Sequence, residues 1–265
     1  MRKMRLFSII SIFLCVSFSA EAQCDSLRLE AALLQRQAYY EEDPTAASAL
    51  LLDKARILLS AGEPQQASAT LAHVRAWLLD ETQLRTYRLL QEEAYYGSGD
   101  YESALSCIDS TDNDLQHLAL DALVMAANRR YDQSKTLARS YIEQTFPADG
   151  QADALQQTDN LFRHKPRYTS QKAAMALSFL PPIGQAIAGH TREGFGALIT
   201  EAASAAFIVW QIIEGCYITG ILGGGIMLEM AYMDNFNNTL QYTEEANRRN
   251  RAEFLGRLET ILKAK

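Results

Sequence analysis

Apolar residues recur at helical spacing over residues 23–146, and nowhere in this range do they alternate as in a strand. Apolar positions three and four residues apart form one face of a helix, so this half of the chain is predicted to be helical. The pattern is interrupted near Gly62, Gly99 and Arg129. Each interruption is predicted to be a tight turn between two antiparallel helices.

The three turns share a plan that favours closely packed helix pairs. Gly62 and Gly99 can take the left-handed backbone that ends a helix. A small side chain five positions later lets the second helix lie close against the first. These small residues are Ala67, Ala104 and Ser134.

The run from Gly99 to Leu105, GDYESAL, resembles the middle of a tetratricopeptide repeat, and the run from Gly62 to Ala67 resembles it more weakly. The intervals from 62 to 99 and from 99 to 129 are 37 and 30 residues, on either side of the repeat's period of about 34. The early Trp and the closing Pro of that repeat are missing. The resemblance implies about three helical pairs that present a groove to a peptide or partner helix; a generic helical bundle is the alternative. Six tyrosines either line such a groove or, as we favour for most of them, pack in the core: Tyr39, Tyr40, Tyr87, Tyr95, Tyr96 and Tyr101.

Residues 171–240 are more apolar, and two runs in them, 195–213 and 216–233, carry a single charge each. At about 1.5 Å per residue the first run is roughly 28 Å long, close to the bilayer's hydrocarbon core of about 30 Å. Glu214 and Gly215 leave room only for a tight turn. The two runs are therefore predicted to form an antiparallel membrane hairpin; a buried hairpin of a soluble protein is the alternative. The small residues expected to face each other are Gly220, Gly223, Gly224 and Gly225 against Ala202, Ala203, Ser204, Ala205 and Ala206.

Residues 171–189 are apolar but broken by two prolines. They are predicted to form either a kinked third span or a re-entrant pair of short helices. The C-terminal helix predicted over residues 241–265 is rich in basic residues. Because basic segments favour the cytoplasmic side, we favour three crossings, which would leave this tail inside.

The run from Pro181 to Gly189, PPIGQAIAG, resembles the signature of a small uncharacterised bacterial membrane domain that is often fused to tetratricopeptide repeats. That signature is Pro-Gly-x-Gly-Gln-x-aromatic-x-Gly, placed before two apolar helices. Pro182 stands where that signature has its first glycine, and Ile187 stands where it has its aromatic residue. The resemblance covers roughly residues 170–255 and implies a membrane domain with no assigned activity. The matching positions are Pro181, Gly184, Gln185 and Gly189, followed downstream by Tyr232, Asn235, Ala246 and Asn247.

Residues 1–22 have the features of a secretory signal peptide, with three basic residues among the first five, then an apolar run and small residues at the end. We therefore expect an exported protein whose mature chain begins at Gln23. Lipidation of Cys24 is the alternative. The three cysteines of the mature chain, Cys24, Cys107 and Cys216, are far apart, and their spacing does not reveal a pairing.

Residues 147–170 are predicted to be a linker in which residues 153–162 can form a helix. Phe162 and Tyr168 lie beside basic residues and are predicted to be an anchor at the depth of the lipid headgroups. The whole chain has a net charge of −7, and residues 23–146 contain 19 acidic and 11 basic residues. An acidic surface argues against nucleic acid as a partner, because the phosphate backbone attracts a basic footprint.

Glu201 and Glu229 are the single charges of the two apolar runs, at matching distances from the predicted turn. Two facing carboxylates in lipid would share a proton, whereas two that lie near helix ends would reach the headgroups instead. No catalytic, cofactor or metal-ligand motif is found, and the four histidines are scattered along the sequence.

Together these features predict an all-α protein, with a tetratricopeptide-like solenoid over residues 23–146 followed by a hydrophobic helical hairpin domain in a membrane. The favoured function is a non-enzymatic adaptor of the bacterial cell envelope, with no cofactor, that binds a protein partner through its repeats and lipid through its hairpin. One alternative is a small subunit of an envelope transport or assembly complex. Another is a membrane enzyme that uses Glu201 and Glu229.

Overall fold

The computed structural model describes residues 24–108, 115–178 and 183–264. The described residues form helices and their connections and contain no strand, which confirms the all-α prediction. The predicted signal peptide at residues 1–22 and the signature residue Pro181 lie outside the described residues. The chain divides into two compact units, one ending at Asp159 and joined by the last residues from Leu262, the other comprising Asn160–Ile261.

The first unit is a series of short helices joined by tight turns. From α2 to α7 each helix contacts the next along the chain, and α4 also contacts both α2 and α6. The elements are α1 (24–40), α2 (Pro44–Ser60), α3 (Pro64–Leu71), a 3-10 turn (Ala76–Leu78), α4 (Glu81–Ser98), α5 (Tyr101–Cys107), α6 (Leu115–Ala127), α7 (Tyr131–Thr145) and most of α8 (Ala148–Arg163).

The three turns singled out in the sequence share a left-handed residue. The backbone φ is 74° at Gly62, 82° at Gly99 and 64° at Arg129. Glycine takes this conformation without a steric penalty, whereas a residue with a Cβ does not. The third turn therefore has the geometry of the first two, but its backbone is strained at Arg129, because this residue has a Cβ.

The small residues that follow these turns are fully buried in the first unit. Ala67, Ala104 and Ser134 have no exposed surface. Ser134 also donates a hydrogen bond from Oγ to the carbonyl oxygen of Ala122 over 2.6 Å, which joins α7 to α6. Of the six tyrosines, Tyr39 and Tyr40 at the end of α1 are exposed, and the other four are half-buried.

The second unit contains two short helices followed by a long helical hairpin. α9 contacts α10, and α10 contacts α11. A turn at Gly215, with φ of 77°, separates α11 from the next helix, and the amide of Cys216 donates to the carbonyl of Gln211 over 2.8 Å. The elements are α9 (Gln171–Ser178), α10 (Ile183–Ile187), α11 (Thr191–Ile213), a π-helical turn (Thr219–Gly224) and α12 (Gly225–Lys263).

The hairpin forms, but the predicted register of its glycines is wrong. A Cβ added to Gly220 would lie 3.0 Å from Gln211 Cβ, and one added to Gly224 would collide with Ile208 Cγ1. Gly220 and Gly224 therefore pack against residues 207–212 and not against residues 202–206, whereas a Cβ added to Gly223 or Gly225 would meet no residue of α11 within 4 Å. The two arms join at Gly215, so residues at roughly equal distances from Gly215 lie opposite each other. The observed partners of Gly220 and Gly224 are therefore about five residues closer to Gly215 than the predicted ones, which is one to two turns of helix.

Within the described residues one helix, Thr191–Ile213, is long and apolar enough to cross a membrane. It contains the predicted run 195–213. The second predicted run, 216–233, is divided between the π-helical turn and the start of α12. In the described part of 171–189, α9 has 8 residues and α10 has 5, and the two helices contact each other.

Most of the predicted linker is helical, since α8 occupies much of it. Phe162 is not an interfacial anchor, because its ring is buried and packs edge-on against Phe254, with 5.3 Å between the ring centroids. The chain after α8 is held along α12 by a reciprocal pair of hydrogen bonds. The amide of Thr169 donates to Asn247 Oδ1 over 3.0 Å, and Asn247 Nδ2 donates to the carbonyl of Thr169 over 2.9 Å.

Candidate functional site

A buried polar network at the base of the hairpin brings together several residues that the sequence predicts to matter. Asn235 on α12 lies at its centre. Its Oδ1 accepts a hydrogen bond from Gln185 Nε2 over 2.9 Å, and its Nδ2 donates both to Glu201 Oε1 over 3.0 Å and to the carbonyl of Ser178 over 2.9 Å. One amide therefore joins α9, α10 and α11 to α12.

The facing arrangement of Glu201 and Glu229, one of the two alternatives that the sequence left open, does not form. Glu201 is 6 % exposed, and its carboxylate is held by Asn235 and by the hydroxyl of Tyr232, whereas Glu229 is exposed on α12. In this hairpin the residue opposite Glu201 is near position 231. The side chains that lie close enough to contact Glu201 are therefore those of Tyr232 and Asn235, whereas the side chain of Glu229 points outward.

The signature glycines have structural explanations. A Cβ added to Gly184 would lie 2.8 Å from Ser178 Cα, so the glycine lets α10 approach the end of α9. Gly189 has φ of 87°, which ends α10 before α11 begins. His190, the next residue, stacks on Tyr242 of α12 with 3.9 Å between the ring centroids. These contacts hold α10 against α9, and the start of α11 against α12.

A second group of buried polar residues lies in the first unit and was not recognised in the sequence. It consists of Glu92 on α4 with His117 and Asp121 on α6, which are 1 %, 8 % and 5 % exposed. One potential ligand atom from each residue lies within 4.8 Å of the others. His117 Nδ1 and Glu92 Oε2 are 4.0 Å apart.

The charge state of this group follows from its burial. Removal from water, and then the carboxylate of Asp121, raise the pKa of Glu92 to about 9. Glu92 is therefore protonated at neutral pH, and its contact with His117 is not an ion pair there. Its Oε1 is buried without a hydrogen-bond partner, which costs on the order of 1–3 kcal/mol. Burial, and then the nearby Glu92, also raise the pKa of the Cys107 thiol.

The sequence does contain a signal for this group. His117 and Asp121 are four residues apart, so they share one face of α6, and they are the only polar residues in the stretch 117–127 of this helix. Glu92 is the less visible member, because residues 91–93 are all polar and only one of them turns inward. An imidazole and two carboxylates can store a proton or bind a cation, whereas catalysis on a substrate needs access that their burial denies.

Comparisons of the chain with protein-family models, with curated proteins and with solved structures give no match.

Proposed function

We propose that this chain is an exported helical scaffold of the bacterial cell envelope, anchored in a membrane by its apolar hairpin and acting through protein contacts of its first unit. The observation that carries the proposal is the surface of α11. This helix is long and apolar enough to cross a bilayer, yet only 11 % of its most apolar stretch of 18 residues is buried within the protein.

The exposed surface of the hairpin favours lipid as its surroundings. A core helix of a water-soluble protein has the same composition but is covered by its neighbours, and large exposed apolar patches mark sites of contact with membranes or proteins. The exposed apolar residues continue from α11 into the second arm. They include Phe195, Ile199, Val209, Trp210, Ile213, Tyr217, Ile218, Ile221, Leu222, Ile226, Met227 and Met230.

The interior of the second unit has the opposite character. In lipid, polar side chains are expected to face inward and to bond with one another, and α9 to α12 bury polar residues around Asn235. Around Asn235 this distribution is the reverse of that in a protein surrounded by water, whereas Phe162, Phe254 and Leu258 form an ordinary apolar core in another part of the unit. The buried polar residues are Ser178, Gln185, Glu201, Ser204, Asn235, Thr239 and Thr243.

The short helices before the hairpin support two crossings, in place of the three that we favoured from the sequence. At about 1.5 Å per residue, the 8 residues of α9 and the 5 of α10 are far too short to cross a hydrocarbon core of about 30 Å. In this topology the first unit and the basic tail lie on one side of the membrane, and the turn at Gly215 reaches the other.

The first unit supplies the partner surface of the proposed scaffold. The stacking of α2 on α4 and of α4 on α6 supports a tetratricopeptide-like solenoid. On α1, Leu29, Leu33 and Tyr40 are exposed at spacings of four and seven residues, so they form one apolar stripe. Such a stripe suits an apolar helix of a partner protein.

Membrane partition of the full chain tests the anchor. We expect the chain to stay in the membrane pellet after washing with alkaline carbonate and to leave it only in detergent. Val209→Lys and Ile199→Lys should release much of it, because a lysine within a span opposes insertion by about 3 kcal/mol. Gln241→Lys, at an exposed polar position of α12, is the matched control.

Two results would count against the proposal. A chain that remains in the supernatant without detergent has no membrane anchor. A chain that is recovered from mild detergent only in a fixed stoichiometric complex belongs to a larger assembly, in which protein covers the hairpin.

A further inference from the structure

The group formed by Glu92, His117 and Asp121 has the composition of a metal site. It joins two helices that contact each other in the first unit, since Glu92 lies on α4 and the other two lie on α6. Residues four apart on a helix point to the same side, and this is the spacing at which two ligands from one helix commonly hold one ion. The third ligand then comes from the facing helix.

The distances suit a small cation. The candidate ligand atoms already lie within 4.8 Å of one another. A transition-metal ion binds nitrogen and oxygen ligands at about 2.0–2.2 Å, which holds neighbouring ligand atoms roughly 3–3.5 Å apart. Each side chain therefore needs to move inward by only about 1 Å or less. A change of that size is within the reach of a glutamate or histidine side chain, and no backbone movement is needed.

An independent feature of Glu92 also points to a ligand. This side chain is 1 % exposed, and its Oε1 has no hydrogen-bond partner, while its Oε2 faces His117. Buried polar atoms in folded proteins nearly always have a partner. A bound cation would supply the missing partner, because it would be coordinated by the carboxylate of Glu92.

We propose that Glu92, His117 and Asp121 together bind one divalent transition-metal ion, and that this ion ties α4 to α6. One imidazole and two carboxylates suit Zn²⁺ or Mn²⁺ better than the soft ions that prefer sulfur. Three protein ligands leave one position for water. Because all three side chains are buried, the ion has a structural role in the helix stack and does not act on a substrate.

Metal titration of the purified full chain in detergent, after treatment with a chelator, tests the site. We expect one Zn²⁺ per chain, and a melting temperature that rises by about 5–10 °C at a free Zn²⁺ concentration 100 times the dissociation constant. Glu92→Gln, His117→Gln and Asp121→Asn should each weaken binding by at least about tenfold. Glu93→Gln and His73→Gln change exposed residues of the same types and should bind as the unsubstituted chain does.

Imidazole NMR of the unsubstituted chain gives a second test that does not depend on any variant folding. The chain has four histidines, and stoichiometric Zn²⁺ should shift the signal of His117 and leave those of His73, His164 and His190 in place. The proposal is overturned if no histidine responds at one equivalent of Zn²⁺ or if another one responds. It is equally overturned if folded ligand variants bind as tightly as the two controls.

Discussion

Asn235 donates a hydrogen bond from Nδ2 to Glu201 Oε1 over 3.0 Å, although the two residues are 34 positions apart in the sequence. Both side chains are buried, so their polar atoms depend on other protein groups for hydrogen bonds. The same Asn235 amide bonds with Gln185 and with the backbone of Ser178. One side chain of α12 therefore links three other helices of the second unit.

Asn235→Ala should destabilise the second unit by on the order of 3 kcal/mol, because it leaves buried polar groups of three other residues without this partner. Thermal unfolding of the full chain in detergent measures the change, which should be a drop of about 6–12 °C. Asn238→Ala, at an exposed position one helical turn away, should melt within about 1–2 °C of the unsubstituted chain. Equal melting temperatures for the two variants would remove Asn235 from its central role.

Gly224→Ala should weaken the hairpin, whereas Gly225→Ala should not. The new methyl group at residue 224 would collide with Ile208 Cγ1, and overpacking of this kind typically costs about 1–3 kcal/mol. At Gly225 a Cβ meets no atom within 4 Å, so alanine there should stabilise the helix by up to about 1 kcal/mol. Protease resistance of the hairpin in detergent distinguishes the two variants, and a reversed order would show that the register is different.

Gly99→Ala should destabilise the first unit by about 1–2 kcal/mol through the backbone alone, since φ is 82° there. No atom lies within 4 Å of the added Cβ, so packing does not contribute. Gly150→Ala is the matched control, because residue 150 is helical and equally open. Circular dichroism during urea unfolding measures both variants. A Gly99 variant as stable as the Gly150 variant would contradict the left-handed turn.

The stability of the metal-free first unit should fall as the pH rises from about 4.5 to about 9. Glu92 keeps its proton in the folded state up to a pKa of about 9, whereas the unfolded chain releases it near the ordinary value of 4.5. The unfolded state thus binds fewer protons across this window, and a higher pH favours unfolding until the slope levels off above pH 9.

Glu92→Gln should remove most of this pH dependence, because glutamine does not titrate. Urea midpoints measured at several pH values in the presence of a chelator give the comparison, with Glu30→Gln at an exposed position of α1 as the control. If the stability of the Glu92 variant changes with pH in the same way as that of the unsubstituted chain, the pH dependence does not come from a proton on Glu92.

Cysteine labelling should report the proposed topology of the hairpin. Cys216 is exposed and follows the turn at Gly215. In a chain whose other cysteines are replaced, a membrane-impermeant maleimide added to spheroplasts should label Cys216 only after the membrane is permeabilised.

The matched reporter is Ala72→Cys in a cysteine-free chain, at an exposed position of the first unit. It should be labelled before permeabilisation. Native Cys107 is a poor reporter, since burial raises the pKa of its thiol and slows its reaction. Labelling of Cys216 and residue 72 at the same stage would place both on one side and exclude a hairpin that crosses.

Features set by neighbouring residues were predictable from the sequence. Apolar periodicity indicated helices throughout, and Gly62 and Gly99 take the left-handed backbone that a helix end requires. The apolar run 195–213 lies within one helix, α11. Each of these depends on residues within a few positions of one another, so a linear pattern is enough to reveal it.

Only the tertiary structure decided which distant side chains meet. It placed Gln185, Glu201 and Asn235 in one network, turned Glu229 outward, and brought Glu92 against a helix more than twenty residues away. The register of a hairpin and the rotation of each helix determine such contacts, and a change of one residue turns a helical side chain by about 100°. Periodicity shows that a helix has an inner face but does not show what lies opposite it.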